Sequence, residues 1–193
     1  MKDAPLDMRM NRENNFSAYE VVNNYSEEEL YRIIRDYGEE KFASSIAKNI
    51  IKARSEKKIE TTFELVEIIK NSMPMKSKSD GHPARRSFQA IRIEVNKELE
   101  VLEKALEQAL ELLNIGGRLC VISFQSLEDR IVKNKFRSVS ELPNNMKSLP
   151  FIPEEYMPKY QVISKGIVAS KEELEENNRA HSARLRVLEK SKE

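Results

Sequence analysis

A glycine pair, Gly116-Gly117, stands between a long helical pattern and the apolar run Arg118-Leu119-Cys120-Val121-Ile122. Glycines at such a point end one element and turn the chain into the next. A short run rich in β-branched and apolar residues then reads as a strand covered on both faces, as in parallel sheets. The stretch that follows, Ser123 to Val132, reads SFQSLEDRIV. Its polar members Ser123, Gln125, Ser126, Glu128, Asp129 and Arg130 fall at the strand's carboxyl end, the edge where open α/β sheets hold ligands. The same spacing also reads as a strand-to-helix turn capped by Ser126, with Asp129 supplying a carboxylate three residues on. The two readings are compatible.

Upstream the pattern is helical. From Ser17 to about Ser72, Ser17 with Glu20, Ser26 with Glu29 and Thr61 with Glu64 have capping-box spacing. Leu30, Ile33, Ile34 and Tyr37 form one apolar face, with Gly38 placed to end that helix. Phe42, Ile46, Ile50 and Ala53 form a second face, and Leu65, Val66, Ile68 and Ile69 a third. Stripes of this kind are the core of a small helical bundle. From Ser87 to Leu113 the apolar repeat Ile91, Val95, Leu99, Leu102, Leu106, Leu110, Leu113 predicts one long helix, packed on its own sheet.

Between these helices the periodicity stops. MPMKSKSDGHP, Met73 to Pro83, predicts a mobile loop. Lys76, Lys78, His82, Arg85, Arg86 and Arg92 gather positive charge in and just beyond it, enough to meet several RNA phosphates. Arg85 and Arg92 lie seven apart, on one side of a helix. Arg85 with Glu94 and Lys97 also reads as an ordinary solvated surface. His82 reads as a loop residue that forms hydrogen bonds and not as a base.

Toward the end, Tyr160 to Ala169 and Ala183 to Leu188 read as strands. Arg184 and Arg186 alternate with Leu185 and Val187, as on a strand with one wet face. Pro143 to Pro158 is proline-rich and reads as a flexible connection.

Composition excludes several classes. The net charge is +1, so no bulk field drives the chain toward nucleic acid, and RNA contact has to be local. The single cysteine, Cys120, permits no internal disulfide and suits a reducing cytoplasmic setting. No apolar run approaches the roughly 18 residues of a membrane span, so no membrane partner is expected. No metal-ligand cluster is expected either.

SFQSLEDRIV resembles the SFHSLEDR motif of the RsmH (MraW) methyltransferase family. Three more stretches resemble that family in the same order. Asp3 to Met10, DAPLDMRM, is similar to its DGPLDMRM segment; His82 to Asn96, HPARRSFQAIRIEVN, to its HPATRTFQAxRIxVN segment; Asn177 to Val187, NNRAHSARLRV, to its NPRARSAKLRV segment. The resemblance implies transfer of a methyl group from S-adenosylmethionine to the exocyclic amine of a cytidine in small-subunit ribosomal RNA. It implies an α/β fold: part of a class I, Rossmann-like methyltransferase sheet with an inserted all-helical domain. Residues 1–12 would then be a remnant of the methyltransferase core, 13–90 the helical insertion that grips RNA, and 91–193 the C-terminal part of the methyltransferase domain. The sheet would keep three strands, ending in an antiparallel pair, with an exposed apolar edge on the first.

The same comparison shapes the expected chemistry. The family's Gly-Gly-His loop and ribose-binding acid have no match, and the five glycines Gly38, Gly81, Gly116, Gly117 and Gly166 make no G-x-G beside an early strand. The usual S-adenosylmethionine site is therefore not expected in this chain, and Asp3 and Asp7 are the nearest candidates for cofactor contact. Activity would need a separate N-terminal half or a second copy, and the alternative is a non-catalytic RNA-binding or ribosome-assembly module. Ser123, Phe124, Gln125 and Ser126 are expected to line the pocket for the cytidine. Gln125 stands where the family has histidine, which keeps hydrogen bonding and removes a titratable group. Ala4 replaces glycine, Asn11 an acid, Asn178 a proline and His181 an arginine in the other motifs.

Overall fold

The capping boxes form as their spacing predicts. In the computed structural model, which describes residues 2–74, 82–142, 146 and 151–192, Ser17, Ser26 and Thr61 cap α1 (Ala18–Asn24), α2 (Glu27–Asp36) and α4 (Thr62–Asn71). Each hydroxyl accepts from a first-turn N–H, while Glu20, Glu29 or Glu64 accepts from the capping residue's own N–H. The orphan donors at three helix starts are thereby satisfied. With α3 (Ala43–Glu56) and α5 (Arg85–Asn96) these helices make up one unit, Met1–Glu98. Its core is Leu30, Ile33, Ile34, Ile46, Ile50, Leu65, Ile69 and Ile91, all fully buried, with Tyr37, Phe42, Ala53 and Ile68 packed half-buried around it. Burying such side chains stabilises a helical unit by roughly 1.5–3 kcal/mol each.

Gly38 matters for a different reason than the one its position suggested. The residue in left-handed conformation after α2 is Glu39, with φ 48°. At Gly38 a Cβ would lie 2.6 Å from the carbonyl oxygen of Ile34 and 2.9 Å from that of Arg86. Glycine is required there because two backbones touch.

The single long helix read over Ser87–Leu113 is two helices. α5 ends at Asn96, Lys97 adopts φ 51°, and α6 (Glu98–Leu112) begins immediately. Asn96 explains the break: its amide nitrogen donates to the carbonyls of Met8 and Arg92, and its oxygen accepts from Met10 N–H, each at 2.8 Å. The apolar repeat runs through the interruption, so periodicity alone does not reveal it. Glu94, read as part of a solvated surface, is buried, bonded by Tyr25 Oη at 2.6 Å and Lys97 Nζ at 2.7 Å.

The second unit, Leu99–Glu193, contains most of α6 together with β1 (Arg118–Ser123), α7 (Ser126–Ser140), β2 (Tyr160–Val168), α8 (Lys171–Glu176) and β3 (Arg184–Lys190). Its core joins Leu106 and Leu110 of α6, Val132 and Phe136 of α7, and Leu188 of β3. The strands form a mixed α/β arrangement with a three-stranded sheet in the order β1-β3-β2, antiparallel throughout. The antiparallel pairing of β2 with β3 accords with expectation; the parallel, doubly covered reading of β1 does not. β1 pairs antiparallel with β3, and although Leu119 and Val121 face the core, Cys120 and Ile122 are exposed. A five-residue apolar run carries no record of whether its second face is covered. Among the described residues no helix is long and apolar enough to cross a membrane.

Candidate functional site

β1 ends at Ser123 and α7 starts at Ser126, so Phe124 and Gln125 form the whole turn between strand and helix. Ser126 is not the cap. Gln125 occupies the N-cap position and makes no side-chain capping bond. Glu128 folds back instead, accepting from Phe124 N–H at 3.1 Å and from Gln125 Nε2 at 3.0 Å. The turn leaves Phe124 56% exposed, an aromatic face presented to solvent at the strand's carboxyl end. Gln125 Oε1 is buried with no hydrogen-bond partner among the described residues.

Asp129, expected to serve the cap, is directed elsewhere. Its oxygens accept from Arg186 Nε at 2.7 Å and Nη2 at 2.9 Å, and Arg184 Nε lies 3.8 Å away. The Arg186 guanidinium holds the Asp129 carboxyl below its ordinary range, against the opposing effect of partial burial. Arg186 was expected on a wet face, yet it is buried. The register explains this, since Arg186 sits opposite Val121 on the side of the sheet that faces α7. Its Nη1 also donates to the carbonyl of Lys165, which the irregular register of β2 between Ser164 and Ile167 brings within reach. Gly166, with φ 126°, completes that irregularity; a Cβ there would press on Arg184 Cδ at 3.2 Å.

These elements enclose an open cleft of about 390 Å³. It is lined by Ser123 to Ser126 from the turn, Asp129, Arg130 and Lys133 from α7, and Ser182 and Arg184 from the segment entering β3. All four predicted pocket residues therefore come together. Lys133 and Ser182 escaped the sequence reading. The available signal was that Lys133 follows Asp129 by one helical turn, and that Ser182 lies inside the last matched segment, Asn177 to Val187.

The other candidates lie in the first unit. Asp3 accepts from Phe63 N–H at 3.0 Å and Thr62 Oγ1 at 3.1 Å, closing the start of α4. Asp7 is clasped by Arg9 at 2.6 and 3.0 Å, which holds its carboxyl at about 2. His82 Nδ1 accepts from Ala84 N–H at 3.3 Å, a loop role as expected. Arg85, Arg86 and Arg92 are exposed on α5; Arg86 reaches the carbonyl of Glu39, and Arg92 is paired with Glu98 at 2.7 and 2.9 Å. Lys76 and Lys78 lie outside the described residues.

Residues 1–191 match the sequence profile of the MraW methylase family. The chain belongs to that family. It is similar to the ribosomal RNA small subunit methyltransferase H of Clostridium botulinum (strain Loch Maree / Type A3), 56% identical over 191 residues, 98% of this chain and 62% of that protein. The protein of the same name from Limosilactobacillus fermentum is 53% identical over 192 residues, 98% of this chain and 61% of its own length. The chain thus spans about three-fifths of the length of these relatives.

Methylases of this family imply S-adenosylmethionine, whose binding calls for a cradle. A glycine turn that lets backbone approach the cofactor and a carboxylate for its ribose are required. Gly38 is pressed between two backbones, and Gly116 lies in the turn before β1, its N–H given to Lys190. Gly117 is held against Asn114, and Gly166 against Arg184. Asp3 and Asp7, the nearest carboxylates by sequence, are both engaged as described. The described residues do not fit the cofactor.

Proposed function

We propose that this protein serves the methylation, by S-adenosylmethionine, of the exocyclic N4 of a cytidine in small-subunit ribosomal RNA, and that its cleft receives the cytidine. The observation that supports this is the meeting of two family segments, Ser123–Val132 and Asn177–Val187, around one open cleft with an exposed aromatic ring. A cytosine amine is a poor nucleophile because its lone pair is delocalised into the ring. It needs an acceptor that orients an N–H, and a base drawn out of its stack onto an aromatic face. In this reading Phe124 supplies the face, and Ser123, Gln125 and Ser126 supply polar groups around the amine. Lys76, Lys78, His82, Arg85 and Arg86 of the helical region 13–90, together with Arg92 just beyond it, contact RNA, and that region acts as a recognition insertion in a class I methyltransferase fold. The cofactor is then held by polypeptide other than the described residues, and the setting is cytoplasmic.

A second reading, an RNA-binding or ribosome-assembly module without catalysis, is favoured by the lack of a cofactor cradle among the described residues. The two are separated by incubating unmethylated small subunits with tritiated S-adenosylmethionine and the chain, alone and with a polypeptide carrying the family's Gly-Gly-His segment. The first reading requires label in the ribosomal RNA in the complemented mixture, lost with Phe124→Ala. RNA binding with no label in either mixture would establish the second. Calorimetric titration of the cofactor into the chain alone completes the test: micromolar binding would overturn the conclusion about the cradle.

A further inference from the structure

Arg184 and Arg186 stand two apart on β3 and have opposite surroundings. Arg186 is buried, and its guanidinium is taken up by Asp129 and the Lys165 carbonyl. The Arg184 side chain is 46% exposed, and its closest acidic contact is Asp129 Oδ2 at 3.8 Å. That oxygen already receives Arg186 Nη2 at 2.9 Å. The Asp129 carboxylate is thus engaged mainly by Arg186, and Arg184 keeps only a long ion pair with it at the cleft. Lys133 is exposed on the same cleft and has no ion-pair partner among the described residues. Ser182, also exposed, adds a hydroxyl to the same cleft.

Lys133, Arg184 with only its long contact to Asp129, and the Ser182 hydroxyl line one cleft, and in a chain of net charge +1 they form a local concentration of positive charge. A guanidinium offers paired N–H donors that match two oxygens of one phosphate, and an ammonium adds a point charge beside it. We propose that Lys133, Arg184 and Ser182 seat one backbone phosphodiester of single-stranded RNA, beside the aromatic face of Phe124. This deepens the reading of the cleft as a nucleotide site and rests on it. The arrangement divides the labour on β3: Arg186 holds Asp129, which lines the cleft, and Arg184 contacts the ligand. Gly166 contributes by leaving room for the Arg184 stem, whose Cδ lies 3.2 Å from where a Cβ would stand.

The test is binding of a short fluorescent single-stranded RNA with one central cytidine, measured over a series of salt concentrations. Lys133→Gln and Arg184→Gln are compared with the full chain and with Lys135→Gln, a charge control on α7 whose ammonium pairs with Glu107 outside the cleft. Each cleft variant is expected to weaken binding about fivefold or more at low salt. Each should also flatten the slope of log affinity against log salt by up to about 0.7, the value of one phosphate contact on a single strand. Because both cations serve one phosphate, the double variant should flatten it no further. Cleft variants indistinguishable from Lys135→Gln would overturn the proposal, as would a chain that does not bind the RNA at all. The same RNA with uridine at the centre separates the two ideas. Flattened slopes without preference for cytidine keep the phosphate seat and refute the cytidine pocket; preference with unchanged slopes does the reverse.

Discussion

Asp129 and Arg186 meet through two carboxylate oxygens and two guanidinium nitrogens, at 2.7 and 2.9 Å, and so tie the first turn of α7 to the middle of β3. The Arg186 side chain is 8% exposed and that of Asp129 21%. Removing one partner of a pair this sheltered leaves the other charge without compensation in a poorly solvated site. Asp129→Ala should destabilise the second unit by about 3 kcal/mol. Urea unfolding followed by a probe in that unit checks this, and a loss well under 1 kcal/mol would mean that water replaces the carboxylate freely.

Acid should act on the first unit through Glu64. Lys57 Nζ at 2.7 Å, and then the N–H groups of Glu60 and Thr61, hold its carboxyl at about 2 against an ordinary 4.5. A carboxyl lowered by folding contributes stability that is complete above its unfolded value and disappears as pH falls through its folded value. The contribution should therefore be whole above about pH 4.5 and decline toward pH 2. Glu64→Gln keeps an acceptor for the capping box but not the charge, so its unfolding midpoint should change less with pH over that range. Parallel pH profiles for the two proteins would show that the solvent-facing Lys57 pair contributes little.

Gly38→Ala should destabilise the helical unit by about 1–3 kcal/mol. The added methyl meets two backbone oxygens, at 2.6 and 2.9 Å, and neither can swing aside as a long side chain would. Thermal unfolding is the measurement, and an unchanged midpoint would mean that α2 and α5 separate at little cost.

Phe124→Ala should leave stability nearly unchanged, because the ring is 56% exposed. It should weaken binding of cytidine-containing RNA by about 1–3 kcal/mol if a base stacks there. Fluorescence anisotropy with the RNA described above reads this directly, and equal affinity for the two proteins would remove the ring from the acceptor site.

The helices were legible because their signals are local. Ser17, Ser26 and Thr61 each sit three residues before a glutamate, and the bonds that follow involve only neighbouring residues. The four pocket residues Ser123 to Ser126 were legible from the resemblance, being consecutive in a matched stretch. What stayed hidden depends on distant partners. The break at Lys97 is set by Asn96 reaching Met8 and Met10, far back in the chain. The burial of Arg186 is set by its place opposite Val121, and strand alternation predicted a wet face there because it ignores α7. Asp129 had carboxylate spacing suited to a cap, but an arginine 57 positions away takes it. Lys133 and Ser182 line one cleft although they come from distant segments of the chain.

The order β1-β3-β2 means that the strand translated last of the three lies between the two translated earlier. β1 and β2 form no ladder with each other, so a ribosome that has made both has not yet made a sheet. Arrival of Arg184–Lys190 completes both ladders at once and delivers Ser182 and Arg184 to the cleft. A nascent chain stalled before that point would carry two open strand edges and no finished cleft. Completion of the sheet therefore waits for β3, and a frameshift or premature stop ahead of Arg184 removes its middle strand.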